Sequence, residues 1–243
     1  MNRPPAREPL ALLRRLRREF RKLADPARAQ QMQRYMKSAM PFHGITTPQL
    51  RAICRTRYRD LEFESAAQWR KTVLEIWRGA RFREERHAAI LLTGIRQARA
   101  FQTMTALPLY ETMIVEGAWW DYVDSIATHP LGELLRNAPK PMRKAMLAWS
   151  RGENLWKRRS AILCQIGFKE ETDLDLLYRC LEPSLASREF FLRKAIGWAL
   201  RQYAWTNPAE VRRYVRAHED ELSSLSKREA TKNLQAVDEP AID

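Results

Sequence analysis

The sequence is short of most features by which a chemistry announces itself. Only three of its 243 residues are cysteines, Cys54, Cys164 and Cys180, widely spaced and without a CxxC pair. That spacing argues against a disulfide framework and for reduced, structural thiols in a cytoplasmic protein. The four histidines, His43, His87, His129 and His218, share no ligand spacing with the cysteines or with each other, so no metal is expected. GxGxxG, P-loop and GxSxG motifs are missing, which excludes the common nucleotide cradles and the serine-hydrolase elbow and leaves no cofactor to expect. Glycine is scarce, at eight residues, and no Gly/Ser or low-complexity tract separates the ends, so one continuous structure is expected. Apolar runs such as Ala88 to Leu92 fall far short of the roughly 18 residues of a membrane span, and mean hydropathy is −0.54. The N-terminus has no apolar stretch ending in a small-residue cleavage site, which argues against a secretory leader.

Acidic residues are also in deficit. Lys and Arg number 43 against 29 Asp and Glu, a formal charge of +14, and the pI is near 10.1. Such a balance favours an anionic polymer or an anionic surface as partner. The excess is uneven. Residues 1 to 37 hold 11 basic and 3 acidic residues, whereas His218 to Asp243 hold 3 basic and 7 acidic ones. The basic end fits either a solvated face or phosphate contact. The acidic end reads as a cap and tail directed away from phosphates.

Periodicity throughout is helical, and no run sustains β alternation. Residues 1 to 9, with three prolines, predict a loose tail. The spacing Leu10, Leu13, Leu16, Phe20, Leu23 predicts a first helix with arginines on its other faces. Asp25-Pro26 then supplies an N-cap and a first-turn proline for a second helix to about Lys37. After a turn at Met40 to Ile45, helices are predicted from Thr47-Pro48 and over about 65–79, 82–97, 105–116, 119–136, 140–150, 154–167, 173–182, 188–204, 208–217 and 226–235. Breaks fall at Gly117, Pro139, Gly152, Asn154, Pro183 and Asn207-Pro208. Helix pairs recur at roughly 35 to 40 residues, which predicts an all-α fold of stacked antiparallel helix pairs, a HEAT-like or ARM-type right-handed α-solenoid. Its expected bounds are residues 10–235, with an acidic tail over 236–243. A concave basic face of such a stack would suit a nucleic-acid duplex.

Three stretches combine aromatic and charged residues. In Trp119-Trp120-Asp121-Tyr122-Val123-Asp124, helical spacing puts Trp120 and Asp124 on one face, an indole beside a carboxylate. In Asn154 to Ile162, Asn154 can cap a helix that carries Arg158 and Arg159, whose forks suit phosphates. In Phe190-Phe191-Leu192-Arg193-Lys194-Ala195-Ile196-Gly197-Trp198 and on to Tyr203, Trp198 shares a face with Lys194 and Arg201. Each has an ordinary alternative, with tryptophans packed in the core and charges solvated on the surface. Trp119 and Val123 are expected in the core, and Asp121 as a helix-start acid.

Together these stretches, with Tyr35 to Ile45, are similar to the AlkD-like DNA alkylation-repair glycosylases, a HEAT-like-repeat family. The WWDxVD and KAIGWxLR segments carry the resemblance, and the matching segments run in family order along nearly the whole chain. The resemblance implies Asp124 as catalytic carboxylate, Trp120 and Trp198 as aromatic walls, and Arg159 as a backbone or lesion-side contact, with Arg158 as its neighbour in that role. It implies DNA contacts from Tyr35, Phe190, Phe191, Lys194 and Arg201. It further implies removal of cationic N3- and N7-alkylated purines from double-stranded DNA without drawing the base into a pocket. A solenoid with a polar cap at each end needs no partner copy, so a monomer is expected, cytoplasmic and nucleoid-associated, with no membrane partner. A non-catalytic solenoid that binds distorted or branched DNA remains a second possibility, and a protein-binding scaffold a third.

Overall fold

In a computed structural model the described residues are 9–234; of the predicted tails at 1–9 and 236–243 only Pro9 falls within them, and it opens the first helix. Every regular element among the described residues is helical. They divide into two compact units with the boundary between Leu109 and Tyr110, where the helical periodicity predicts a single domain over 10–235.

The first unit is built from α1 (Pro9–Lys22), α2 (Pro26–Met36), α3 (Thr47–Tyr58), α4 (Ala66–Gly79) and α5 (Arg83–Thr93), followed by 3₁₀ turns at Arg96–Phe101 and Met104–Ala106. Asp25 caps α2 by accepting from the Arg28 N–H, and Thr46 and Gln49 form a reciprocal capping box on α3. The α1 stripe buries Leu12, Leu13, Leu16 and Phe20 against α4 and α3. Its predicted ends, Leu10 and Leu23, are exposed, because the first lies on the opening turn and the second beyond the helix. Polar atoms hold the α2–α3 connection. Both oxygens of buried Glu84 accept backbone N–H groups, from His43 and Gly44, at 2.9 Å each. Buried Glu85 accepts a two-pronged hydrogen bond from Arg17 at 2.7 Å and another from the Arg81 N–H. Burial opposes ionisation of Glu85, but Arg17, His43 and the Arg81 amide outweigh it and hold the carboxyl down at about 2. Gly44 sits at φ +81°, where a side chain would lie 2.2 Å from the Asp25 carbonyl oxygen.

The boundary falls inside α6 (Leu107–Gly117). The second unit continues with α7 (Trp120–Ile126), a π-helical turn at Ala127–Leu131, α8 (Gly132–Asn137), α9 (Pro139–Arg151), α10 (Leu155–Leu163), α11 (Leu174–Leu181), α12 (Phe190–Ala204), α13 (Pro208–Ala217) and α14 (Ser224–Thr231). The predicted helix over 119–136 is therefore three segments. Pro130 lies inside the π turn; lacking an N–H and crowding the turn before it, it widens the coil there. Within this unit α7, α10, α12 and α14 pack successively side by side, while α9 and α11 pack against one another and against α10. That arrangement is the stacked-pair pattern of an α-solenoid-like fold. Gly197 permits the closest approach, since a Cβ there would stand 2.4 Å from Glu229 Cβ and 2.9 Å from the Ser226 carbonyl oxygen.

Candidate active site

Three helices of the second unit begin on aromatic residues, and those beginnings meet. Trp119 is the N-cap of α7, Trp156 the second residue of α10, and Phe190 and Phe191 open α12. The Phe191 ring lies 5.5 Å from Trp119 and 5.0 Å from Trp156, centroid to centroid, with Phe190 5.4 Å away. Edge and tilted contacts of this kind contribute about 0.5–1.5 kcal/mol per pair beyond the area they bury. Asn154 fixes the start of α10 by accepting from the Trp156 and Lys157 N–H groups. Trp119 is half-buried in this cluster, where its spacing predicts a core residue, while Val123 is fully buried.

Beside the rings lies the main polar feature. Arg159 donates from Nε to Asp124 Oδ1 at 2.7 Å and from Nη2 to Oδ2 at 2.8 Å. Its remaining nitrogen, Nη1, donates to the Phe191 carbonyl oxygen at 2.5 Å, and its guanidinium lies 5.9 Å from the Phe191 ring centroid. All three guanidinium nitrogens are thus engaged. The side chains of Arg159 and Asp124 are 6% and 15% exposed, so the carboxylate keeps a narrow opening to solvent and the arginine almost none. Burial pushes the Asp124 carboxyl above the ordinary aspartate range; the Arg159 fork pulls it back only in part, and the Asp121 charge adds a smaller upward push. Such a site holds a carboxylate in one orientation and at high free energy. That combination suits stabilising a cation that develops against it.

The other predicted residues fall into groups. Trp120 is half-buried and opens α7 one turn before Asp124. Trp198 is half-buried against the hydrophobic core of α10 to α14. Arg159, for which the resemblance implies a backbone or lesion-side contact, directs its fork to Asp124. Arg158 donates to the Pro183 carbonyl and to Ser184 Oγ at 2.7 and 2.9 Å. Lys194 and Arg201 are likewise drawn inward, to buried Glu229 at 3.1 and 2.6 Å, where Lys232 joins them at 2.7 Å. Three cations around one carboxylate leave a net positive charge on the α12–α14 surface. Burial opposes the ionised form of Glu229, yet Lys232 and Lys194 hold it at about 2. Phe190 is 52% exposed; Tyr35, in the first unit, is 77% exposed at the end of α2.

Periodicity missed the joining of Trp119, Trp156 and Phe191, although each lies within two residues of a helix start. It also missed Glu229, a single acid in an otherwise ordinary terminal helix. Among the described residues no group of three His, Cys, Asp or Glu side chains could hold a metal, and no helix is long and apolar enough to cross a membrane.

No curated protein matches the chain. A solved structure described as a "Predicted DNA alkylation repair enzyme from Enterococcus faecalis" is similar, at 29% identity and a TM-score of 0.75 over 86% of this chain and 95% of that one. The family model for the DNA alkylation repair enzyme matches residues 16–234. With nearly all of its length matched, the chain belongs to the DNA alkylation repair enzyme family.

Proposed function

We propose that the chain is a monofunctional DNA glycosylase, hydrolysing the N-glycosidic bond of N3- and N7-alkylated purines in duplex DNA and leaving an abasic site. The observation that carries this reading is the bidentate Asp124–Arg159 pair, a carboxylate fixed at 2.7 and 2.8 Å yet open to solvent on one side, next to a wall of aromatic rings. An alkylated purine is already cationic, so it departs neutral without acid assistance. Cleavage of the C1′–N bond leaves an oxocarbenium-like sugar. Ionised Asp124 stabilises that cation and accepts the proton of the water that then bonds to C1′. Trp120 and Trp198 offer electron-rich faces to the sugar. A right-handed HEAT-like solenoid that grips the backbone with a concave basic face would avoid the few kcal/mol of unstacking that base flipping costs, and one chain suffices for this chemistry.

The test incubates a duplex containing N7-methylguanine with wild-type protein and with Asp124→Asn, then cleaves abasic sites in hot alkali. Wild type is expected to yield cleavage and Asp124→Asn to lose at least about 100-fold in rate, the scale of a removed electrostatic stabiliser. No release by wild type refutes the activity, and full activity in the variant refutes the role of Asp124. One observation favours a second reading. Both Asp124 oxygens are already occupied by Arg159, as they would be in a purely structural pair within a protein that binds distorted DNA without acting on it. Duplex binding that survives in Asp124→Asn, with no base release by wild type, would support that reading.

A further inference from the structure

The first unit contains a groove of about 480 Å³ between α3 and the segment that follows α5. Arg51 and Arg55 from α3, Arg59 just past its end and Arg96 opposite line it, all exposed, and no Asp or Glu lines it. None of the four guanidiniums has an ion-pair or hydrogen-bond partner among the described residues. The contrast with neighbouring arginines is sharp. Arg57, on the same helix, pairs with Glu19, and Arg17 is bound to Glu85, so these two are neutralised while the row in the groove is left open. The floor is apolar, formed by Leu91 and Ile95 over buried Cys54 and Tyr58. It carries no reactive group: burial pushes the Cys54 thiol up to about 12, and the Tyr58 hydroxyl donates to the Ala88 carbonyl.

Four unpaired, like-charged side chains in one groove repel each other unless an anion joins them. Arg51, Arg55 and Arg59 stand four residues apart on one face, so their backbone positions step about 6 Å along the helix direction and the row spans about 12 Å. One nucleic-acid strand advances about 3.4 Å per phosphate, so the row faces three or four phosphates. Guanidinium forks match phosphate oxygens, and a floor of leucine and isoleucine suits the deoxyribose edge. We propose that this groove is an electrostatic anchor for the sugar–phosphate backbone of DNA, reading no sequence and taking no part in the chemistry at Asp124. It rests on DNA being the substrate and adds a binding surface in the first unit.

The experiment measures binding of the full chain to an undamaged duplex over a range of salt concentrations. With Arg51, Arg55, Arg59 and Arg96 all replaced by alanine, affinity should fall, and the slope of log K against log salt should shrink by about 0.9 for each phosphate no longer neutralised. Lysine at the same four positions should restore most of the slope, because counterion release counts charges. An unchanged slope in the alanine variant overturns the anchor. So does loss of binding to phosphatidylserine-containing vesicles with duplex binding intact, which would make the groove a membrane-surface site. Should the alanine variant lose its helical circular dichroism, Arg55→Gln with Arg59→Gln carries the same test at half the slope change. Release of N7-methylguanine without the slope change refutes the anchor alone, whereas the slope change without base release refutes the glycosylase alone.

Discussion

Replacing Arg159 with alanine should be among the most damaging single changes in the second unit, and its cost should depend on pH in a particular direction. Both partners are largely out of water, at 6% and 15% side-chain exposure, and joined by two hydrogen bonds of 2.7 and 2.8 Å. Removing one member of such a pair leaves the other buried and uncompensated, at about 3–5 kcal/mol. For a chain of this size that corresponds to a fall in Tm of roughly 6–20 °C. The orphaned Asp124 can escape only by taking up a proton. Its carboxyl already titrates above the ordinary range because of burial, and loss of the arginine raises it further. The folded state then binds more protons than the unfolded one, whose aspartate titrates near about 3.9. Stability from this group is therefore present at acid pH and is lost as pH rises through the folded value. Urea unfolding of Arg159→Ala and wild type at pH 5 and pH 8, followed by near-ultraviolet circular dichroism of the Trp119–Trp156 cluster, should show a markedly larger deficit at pH 8. Removing both partners together, as Asp124→Leu with Arg159→Met, should cost less than Arg159→Ala alone. A deficit below about 1 kcal/mol at both pH values, the worth of a surface pair, would refute the buried-pair account.

The rate of base release should follow ionisation of the same carboxyl, rising from acid toward neutral pH with a midpoint above that of an ordinary aspartate; single-turnover rates for Arg159→Gln should place the midpoint higher still, and an unmoved midpoint would assign the acid limb to another group. Gly197→Ala should lower stability by about 1–3 kcal/mol, since its methyl would meet Glu229 Cβ at 2.4 Å; a thermal melt within a degree of wild type would show that α14 shifts freely. Glu85, held at about 2, has a depressed folded value, so its stabilisation is complete above about pH 4.3 and is lost as pH falls toward 2. Glu85→Gln should therefore be much less stable than wild type at pH 7 and approach it at pH 2.5, as acid titration of the helical signal would show.

Local rules made most of the helices legible. Asp25, Asn154 and Asn207 each cap the helix they precede, because capping depends on residues within one turn. The pairing of charges was much less legible. Spacing puts Arg158 and Arg159 side by side as equivalent phosphate ligands, yet one donates to the Pro183 carbonyl and the other to a carboxylate 35 residues away. A helix rotates successive residues by about 100°, so adjacent arginines address different neighbours, and only the packing of α7 and α12 against α10 decides which is buried. The same holds for Lys194 and Arg201, which periodicity correctly puts on one face and which meet an acid supplied by α14. The consequence for Asp124 is chemical. A carboxylate bonded only to water could rotate and would titrate in the ordinary range, whereas this one is fixed by an arginine that is itself fixed by the Phe191 carbonyl. The orientation of the proposed catalytic group on α7 is thus set by backbone at the start of α12, a dependence between residues 67 positions apart that no local pattern in the sequence encodes.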